Sequence, residues 1–150
     1  MYRRILVPLD GSSCSEAAIP HARALAEKFG SEIVLLRVVQ PGVIPPVPPT
    51  DLGPWPPAAA VLPETEEALE KAAASYIEEV AARFGDLGIV VTDVEWGGAV
   101  DQIAHCAREH HVDLIVMGTH GRHGLERWLL GSTSESLLHQ TDVPILLVKR

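Results

Sequence analysis

The residues best suited to chemistry lie between Met117 and Ser132, M-G-T-H-G-R-H-G-L-E-R-W-L-L-G-S, where the apolar run Leu114-Ile115-Val116-Met117 leads directly into a glycine loop. Glycines stand at Gly118, Gly121 and Gly131, the last followed by Ser132. Glycine lets the backbone turn through positive φ and lets a ligand approach main-chain amides that a Cβ would shield. Ser132-Thr133-Ser134-Glu135 has the spacing of a capping box and opens a helix. The first turn of a helix offers N–H groups without intrahelical partners and about half a positive charge. A strand, a glycine loop and a helix N-terminus together make an anion site, and phosphate is its natural guest. The pattern is neither the Gly-Lys-Ser/Thr of a P-loop nor the G-x-G-x-x-G of a dinucleotide fingerprint.

A second candidate is Asp10. Arg4 to Leu9 is a short apolar run that reads as a buried strand, and Asp10-Gly11-Ser12-Ser13 follows as loop, so the carboxylate is presented at a strand's C-terminal end. An ionised carboxylate is an acceptor-only group, suited to hydroxyls and amino groups. Arg122 and Arg127 are the positive side chains of the glycine loop, with His120 and His123 beside them. His105, His110 and His111 flank a helix end, and no H-E-x-x-H or Cys-His spacing points to zinc, so neither a protein-held metal nor a catalytic residue is read from the chain. Cys14 and Cys106 lack metal or C-x-x-C spacing and are expected to be buried thiols rather than a disulfide.

The elements that must position these residues follow from periodicity. Ser13 to Glu16 offers another capping box, and Ala18, Ala22, Leu25, Ala26 and Phe29 recur at helical spacing until Gly30. Pro20 falls inside that pattern and should bend the helix, at a cost of about 3 kcal/mol. Glu32 to Val39 is a second strand, apolar on both faces as a central parallel strand is, except for Arg37. The expectation for Arg37 is a buried stem whose head reaches water or a carboxylate, with direct ligand contact as the alternative. Nine of the twelve prolines fall between Gln40 and Pro63, around Trp55, and mark an inserted loop that suits a surface arm or dimer contact better than a lid. Glu64 to Phe84 is a helix with Leu69, Ala72, Ala73, Tyr76, Ile77, Val80, Ala81 and Phe84 inward and a solvated acidic face at Glu64, Glu66, Glu67 and Glu70. Strands at Ile89 to Trp96, Val112 to Met117 and Val143 to Val148 alternate with a helix bearing Val100, Ile103, Ala104 and Ala107 inward and with a last helix, Ser132 to Gln140. Such alternation implies a five-stranded parallel sheet with helices on both faces.

At 150 residues and 47% hydrophobic the chain suits one domain with a real core. A net charge of -8 repels phosphate at long range, which argues against nucleic acid and anionic membrane as partners, so a bound phosphate must be held locally. No stretch has the length of a membrane span and no leader pattern opens the chain, so the cytoplasm is the expected compartment.

Gly118, Gly121, Gly131 and Ser132 fit the pattern G-x2-G-x9-G-[S/T]. With I-L-V-P-L-D-G-S at 5 to 12 and V-P-I-L-L-V at 143 to 148, the chain resembles the ATP-binding branch of the universal stress protein family over nearly its whole length. The resemblance implies strand order 3-2-1-4-5 in an adenine nucleotide alpha hydrolase-like, Rossmann-like fold. The first and fourth strands then meet where the winding reverses, the place of the ligand crevice in open α/β sheets. It implies Asp10 as the nucleoside anchor, the backbone of Val38 reading adenine, Pro8 and Met117 packing on the ring, and Gly118 at the ribose. Gly121, Gly131, Ser132 and Thr133 match the phosphate cradle, with Arg122 a further phosphate candidate. ATP, with Mg2+ or Mn2+ bridging its phosphates, is the implied cofactor. The implied role is a nucleotide-dependent stress-response switch or sensor with at most slow hydrolysis. The alternatives are an ATPase or nucleotidyl or phosphoryl transferase, and a nucleotide-independent interaction module. A fifth strand at the sheet edge needs cover, and family members pair there, so a homodimer through Val143 to Val148 is expected.

Overall fold

The computed structural model of the chain describes residues 1–40, 62–85, 87, 90–119 and 132–149. In chain order the elements are β1 (Arg4–Leu9), α1 (Ser13–Glu16), α2 (Ala18–Phe29), β2 (Glu32–Val39), α3 (Leu62–Ala82), β3 (Val90–Trp96), α4 (Ala99–Glu109), β4 (Leu114–Thr119), α5 (Ser132–Gln140) and β5 (Ile145–Lys149). The strands form one five-stranded sheet, β3-β2-β1-β4-β5, parallel at every pairing. β1 and β4 are therefore neighbours, and the order expected from the resemblance is the order observed.

Alternation along the strands divides the core between two faces. Ile5, Val7 and Leu9 with Ile33 and Leu35 pack against Ala18, Ala22 and Ala26 of α2 and Ile77 and Val80 of α3. Leu6, Val34, Leu36, Ile115 and Met117 pack on the opposite face against Ile103, Ala104 and Ala107 of α4 and Leu137 of α5. At roughly 1.5–3 kcal/mol per fully buried aliphatic side chain, these two layers hold the strand ends in place for whatever binds beyond them.

Several boundaries differ from the sequence reading, each for a local reason. The first helical stretch is broken at Ala17, so Pro20 stands in the first turn of α2, where its missing N–H removes no bond. The cap of α1 is Ser12 rather than Ser13: the Ser12 side chain accepts from Ser15 N at 3.2 Å. α3 ends at Ala82, and Phe84, in the following turn, is still fully buried. β4 starts at Leu114 because Val112 N bonds the Ala107 carbonyl and the Asp113 carboxylate accepts from Arg3 N and Arg4 N, tying that corner outside the ladder. It continues through Gly118 and Thr119, opposite Val148 and Lys149. β5 starts after Pro144, which has no N–H to give and whose carbonyl accepts from Ile115 N. α5 keeps both of its expected ends, Ser132 and Gln140.

Cys106 is buried as expected, its thiol pushed up to about 12 by burial and then by the carboxylates of Asp93, Glu109 and Glu95. Cys14 is half-buried, not buried, and Ala72 is exposed while its neighbour Ala73 faces the core. Glu66, Glu67 and Glu70 are exposed on α3, as a solvated face requires. Among the described residues no helix is long and apolar enough to cross a membrane.

Candidate functional site

A cleft of about 500 Å³ opens at the carboxyl ends of β1, β2 and β4, the point where the winding of the sheet reverses. Pro8 and Asp10 enter it from the end of β1, Arg37 and Val38 from β2, Met117 and Gly118 from β4 and Thr133 from the first turn of α5. Six of the ten sequence-selected residues, Pro8, Asp10, Val38, Met117, Gly118 and Thr133, thus share one cavity. Ser132 is exposed beside Thr133 and does not line it. Gly121, Arg122 and Gly131 lie outside the described residues, as do His120, His123, Arg127 and the proline-rich segment around Trp55.

Asp10 is oriented by its own loop. Its Oδ1 accepts from Ser12 N at 2.8 Å, an Asx turn, and its N–H donates to Ser15 Oγ at 3.3 Å. Gly11 between them takes φ +83, open to glycine at no steric cost. The same Ser15 hydroxyl donates to the Ser12 carbonyl at 2.9 Å, so strand end, loop and α1 form one bonded unit with the carboxylate held at its rim.

Gly118 has a structural reason of its own. A Cβ built there would lie 2.7 Å from the Cys14 carbonyl carbon and 3.1 Å from Ser15 Cα, with the Cys14 carbonyl oxygen nearer still. The backbone of α1 rests directly on β4 at this position, which draws Ser15 and Asp10 close to the β4 end. The glycine picked out by loop spacing is thus also what lets the two strand ends share a cleft.

Arg37 lines the cleft wall. Among the described residues its Nη1 donates to the Leu9 carbonyl at 3.4 Å and its guanidinium lies 6.0 Å from the centre of the Tyr76 ring, so the head meets a carbonyl and an aromatic face there. Tyr76 OH donates to Glu16 Oε1 at 3.1 Å, and Arg83 Nη1 donates to Glu16 Oε2 at 2.9 Å. Burial, then the Glu16 charge, pushes the Tyr76 phenol up to about 12. The hydrogen bond from Arg83 holds Glu16 below the usual carboxylate range. This chain of contacts ties α3 to α1 and to the end of β2, and so fixes the wall that Arg37 and Leu69 contribute.

Sequence reasoning did not place Ser15, Gln40, Leu69, Ala99 and Ile103 in the cleft. Ala99 had a signal: Gly97-Gly98 after the third strand marks another helix starting at the carboxyl edge. Gly97 takes φ +137 and its N–H bonds the Val39 carbonyl at 3.0 Å, which brings the first turn of α4 against the end of β2.

The lining combines apolar surface from Pro8, Val38, Leu69, Ile103 and Met117 with polar groups from Asp10, Arg37, Gln40 and Thr133. A doubly wound parallel sheet with such a cleft at its reversal point defines a class of α/β proteins that take a small, partly apolar, partly polar ligand at the strand ends. The chain belongs to the universal stress protein family, whose model matches residues 1–149. Universal stress protein MJ0531 of Methanocaldococcus jannaschii is 35% identical over 151 residues, covering 100% of this chain and 84% of its own. MJ0577 of the same organism is 30% identical over 159 residues, covering 100% of this chain and 96% of its own. The solved structure of MJ0577 superposes with a TM-score of 0.81 at 29% identity, covering 100% and 97% of the two chains. A universal stress protein solved in complex with cAMP superposes with a TM-score of 0.67 over 99% and 97% of the chains; at 21% identity this is a likeness of fold.

Proposed function

We propose that this protein binds ATP, with Mg2+ or Mn2+, in the cleft at the ends of β1 and β4, and serves as a nucleotide-dependent stress-response switch or sensor with at most slow hydrolysis. The observation that carries the reading is the placement of Asp10, braced by Ser12 N–H, in one cavity with Thr133 of the α5 first turn. The volume, about 500 Å³, lies within the range of small-molecule sites and suits a nucleotide. Pro8, Val38 and Met117 offer apolar surface to a purine, and Asp10 offers acceptors to ribose hydroxyls or the adenine amino group. Gly118 leaves room at the sugar. Gly121, Arg122, Gly131, Ser132 and Thr133 would hold the phosphates, and a divalent ion would neutralise β and γ oxygens.

Binding is favoured over turnover because Asp10 is the carboxylate among the described lining residues, and its role is at the nucleoside end. Phosphoryl transfer would need a group positioned at the γ-phosphate. The relative in complex with cAMP supports an adenine ligand in this fold.

Calorimetric titration of the nucleotide-free protein with ATP and Mg2+ tests the reading. Asp10→Asn keeps an oxygen for Ser12 N–H but removes the charge and an acceptor, and should weaken binding about tenfold or more, since each unmatched polar contact costs 1–3 kcal/mol. Absence of heat with ATP, ADP and AMP over a wide concentration range would overturn it.

A further inference from the structure

Away from this cleft, where α4 packs on the sheet beside β3, three ligating side chains of different chemistry converge. Asp93 comes from β3, Cys106 from α4 and His110 from the residue that caps it. One ligand atom from each, a carboxylate oxygen, the sulfur and a ring nitrogen, lie within 4.8 Å of one another. Cys106 and His110 are four apart, the spacing that stacks side chains on one helix face. Strand alternation puts Asp93 on the same side of the sheet as Val91, which packs with the α4 core. Two contacts hold the triad before any ligand arrives. His110 Nε2 is 3.2 Å from Asp93 Oδ2, and Arg4 Nη1 donates to the His110 carbonyl at 2.9 Å, fixing the helix end against β1.

The donor set discriminates between cations. Mg2+ and Ca2+ take oxygen ligands, whereas a thiolate, an imidazole and a carboxylate together suit Zn2+. In a tetrahedral zinc site with bonds of 2.0–2.3 Å the ligand atoms are about 3.5 Å apart. The His110–Asp93 pair, at 3.2 Å, is close to that spacing, and the sulfur lies within 4.8 Å of both. The sulfur lies at the buried inner wall, while the Asp93 and His110 side chains are 28% and 27% exposed, so the remaining direction faces solvent.

The geometry points to a Zn2+ site formed by Asp93, Cys106 and His110, completed by water, that staples the C-terminal end of α4 to edge strand β3. Zinc binding releases the thiol proton to solvent and leaves the sulfur as thiolate. The site is independent of the nucleotide cleft and of any reading of it.

The test uses the full chain, chelator-stripped, reduced and free of nucleotide, titrated with Co2+ as a spectroscopic stand-in for zinc. One equivalent per chain should produce thiolate-to-cobalt charge-transfer absorption in the near ultraviolet, and Zn2+ should displace it. Cys106→Ser should abolish that band, and Cys14→Ser should leave it intact. Asp93→Asn and His110→Gln should each weaken Zn2+ at least about tenfold in competition with a chromophoric chelator, since even outer-shell partners are worth 10–100-fold. Circular dichroism confirms that each variant is folded, and the near-isosteric Asp93→Asn carries the test should Cys106→Ser fail to fold. The proposal is overturned by a wild-type protein without a thiolate band, by a band lost in Cys14→Ser, or by Zn2+ affinity unchanged in Asp93→Asn and His110→Gln.

Discussion

A single methyl group added to Gly118 would collide with backbone, not with a side chain that can swing away, because the Cys14 carbonyl and Ser15 Cα occupy its place. Overpacking of this kind costs about 1–3 kcal/mol and more where the obstacle is main chain. Gly118→Ala should therefore lose about 3 kcal/mol in urea unfolding and shift α1, with Asp10 carried along by its bond to Ser15. Unchanged stability would show that α1 does not rest on β4. The position was legible in the sequence as a glycine at a strand end, but its reason was not, since nothing in the spacing says that a helix 100 residues earlier lies against it. Asp10 was legible for a stronger reason: an apolar run stopping at an acid followed by Gly-Ser-Ser leaves few other places for the carboxylate than a strand's rim. Arg37 was legible only as an anomaly in an apolar strand, because its partners, the Leu9 carbonyl and the Tyr76 ring, come from other elements. The sequence reading found no metal spacing at Cys106 or His110, and the pair gained meaning only once the fold set Asp93 of β3 beside it.

Among the elements, the junction of α1 and α2 tests how proline is accommodated. Had Pro20 sat in a helix interior, replacing it with alanine would recover up to about 3 kcal/mol. In the first turn of α2 no bond is missing, and Pro20→Ala should instead cost about 0.5 kcal/mol through the freer unfolded chain, measurable by thermal or urea denaturation. The link from α3 to α1 makes a prediction in pH. Tyr76 has its folded pKa raised from 10.0 to about 12, so between those values the unfolded chain binds fewer protons than the fold, and stability falls as pH rises. Tyr76→Phe loses the hydrogen bond to Glu16, about 1 kcal/mol near neutrality, but also loses this titration. The gap between the two proteins should therefore narrow from pH 10 upward, and a gap constant to pH 11.5 would contradict the assigned shift. Element types were readable because the apolar runs are short and flanked by glycine or caps. The first two strands kept their expected ends, whereas β4 moved because Val112 and Asp113 spend their backbone and side-chain bonds on α4 and β1, which only tertiary contact decides.

At the scale of the whole molecule the two edges of the sheet are unequal. β3 carries Thr92, Asp93 and Glu95, charges and a hydroxyl of the kind that deter strand addition, whereas β5 reads Ile-Leu-Leu-Val-Lys. Its Leu146 is 37% exposed and borders a shallow, mostly apolar depression with Pro20, His21, Ala24 and Leu25 of α2. An apolar edge strand flanked by an apolar helix face suits a second copy of itself, which could add strand to strand about a two-fold axis. The strand order was readable through resemblance rather than periodicity, since alternation of strands and helices fits several windings. Which edge would pair follows once that order puts V-P-I-L-L-V at the rim. The net charge of -8 opposes association, so the homodimer should tighten as salt screens the repulsion, the reverse of an interface held by opposite charges. Leu146→Asp places a charge where the apolar patch must close and should weaken dimerisation more than tenfold, leaving the monomer's fold unchanged by circular dichroism. Sedimentation velocity at micromolar protein decides it: the wild type should run as a dimer and Leu146→Asp as a monomer. A monomeric wild type at both low and high salt would leave the β5 edge without its proposed partner.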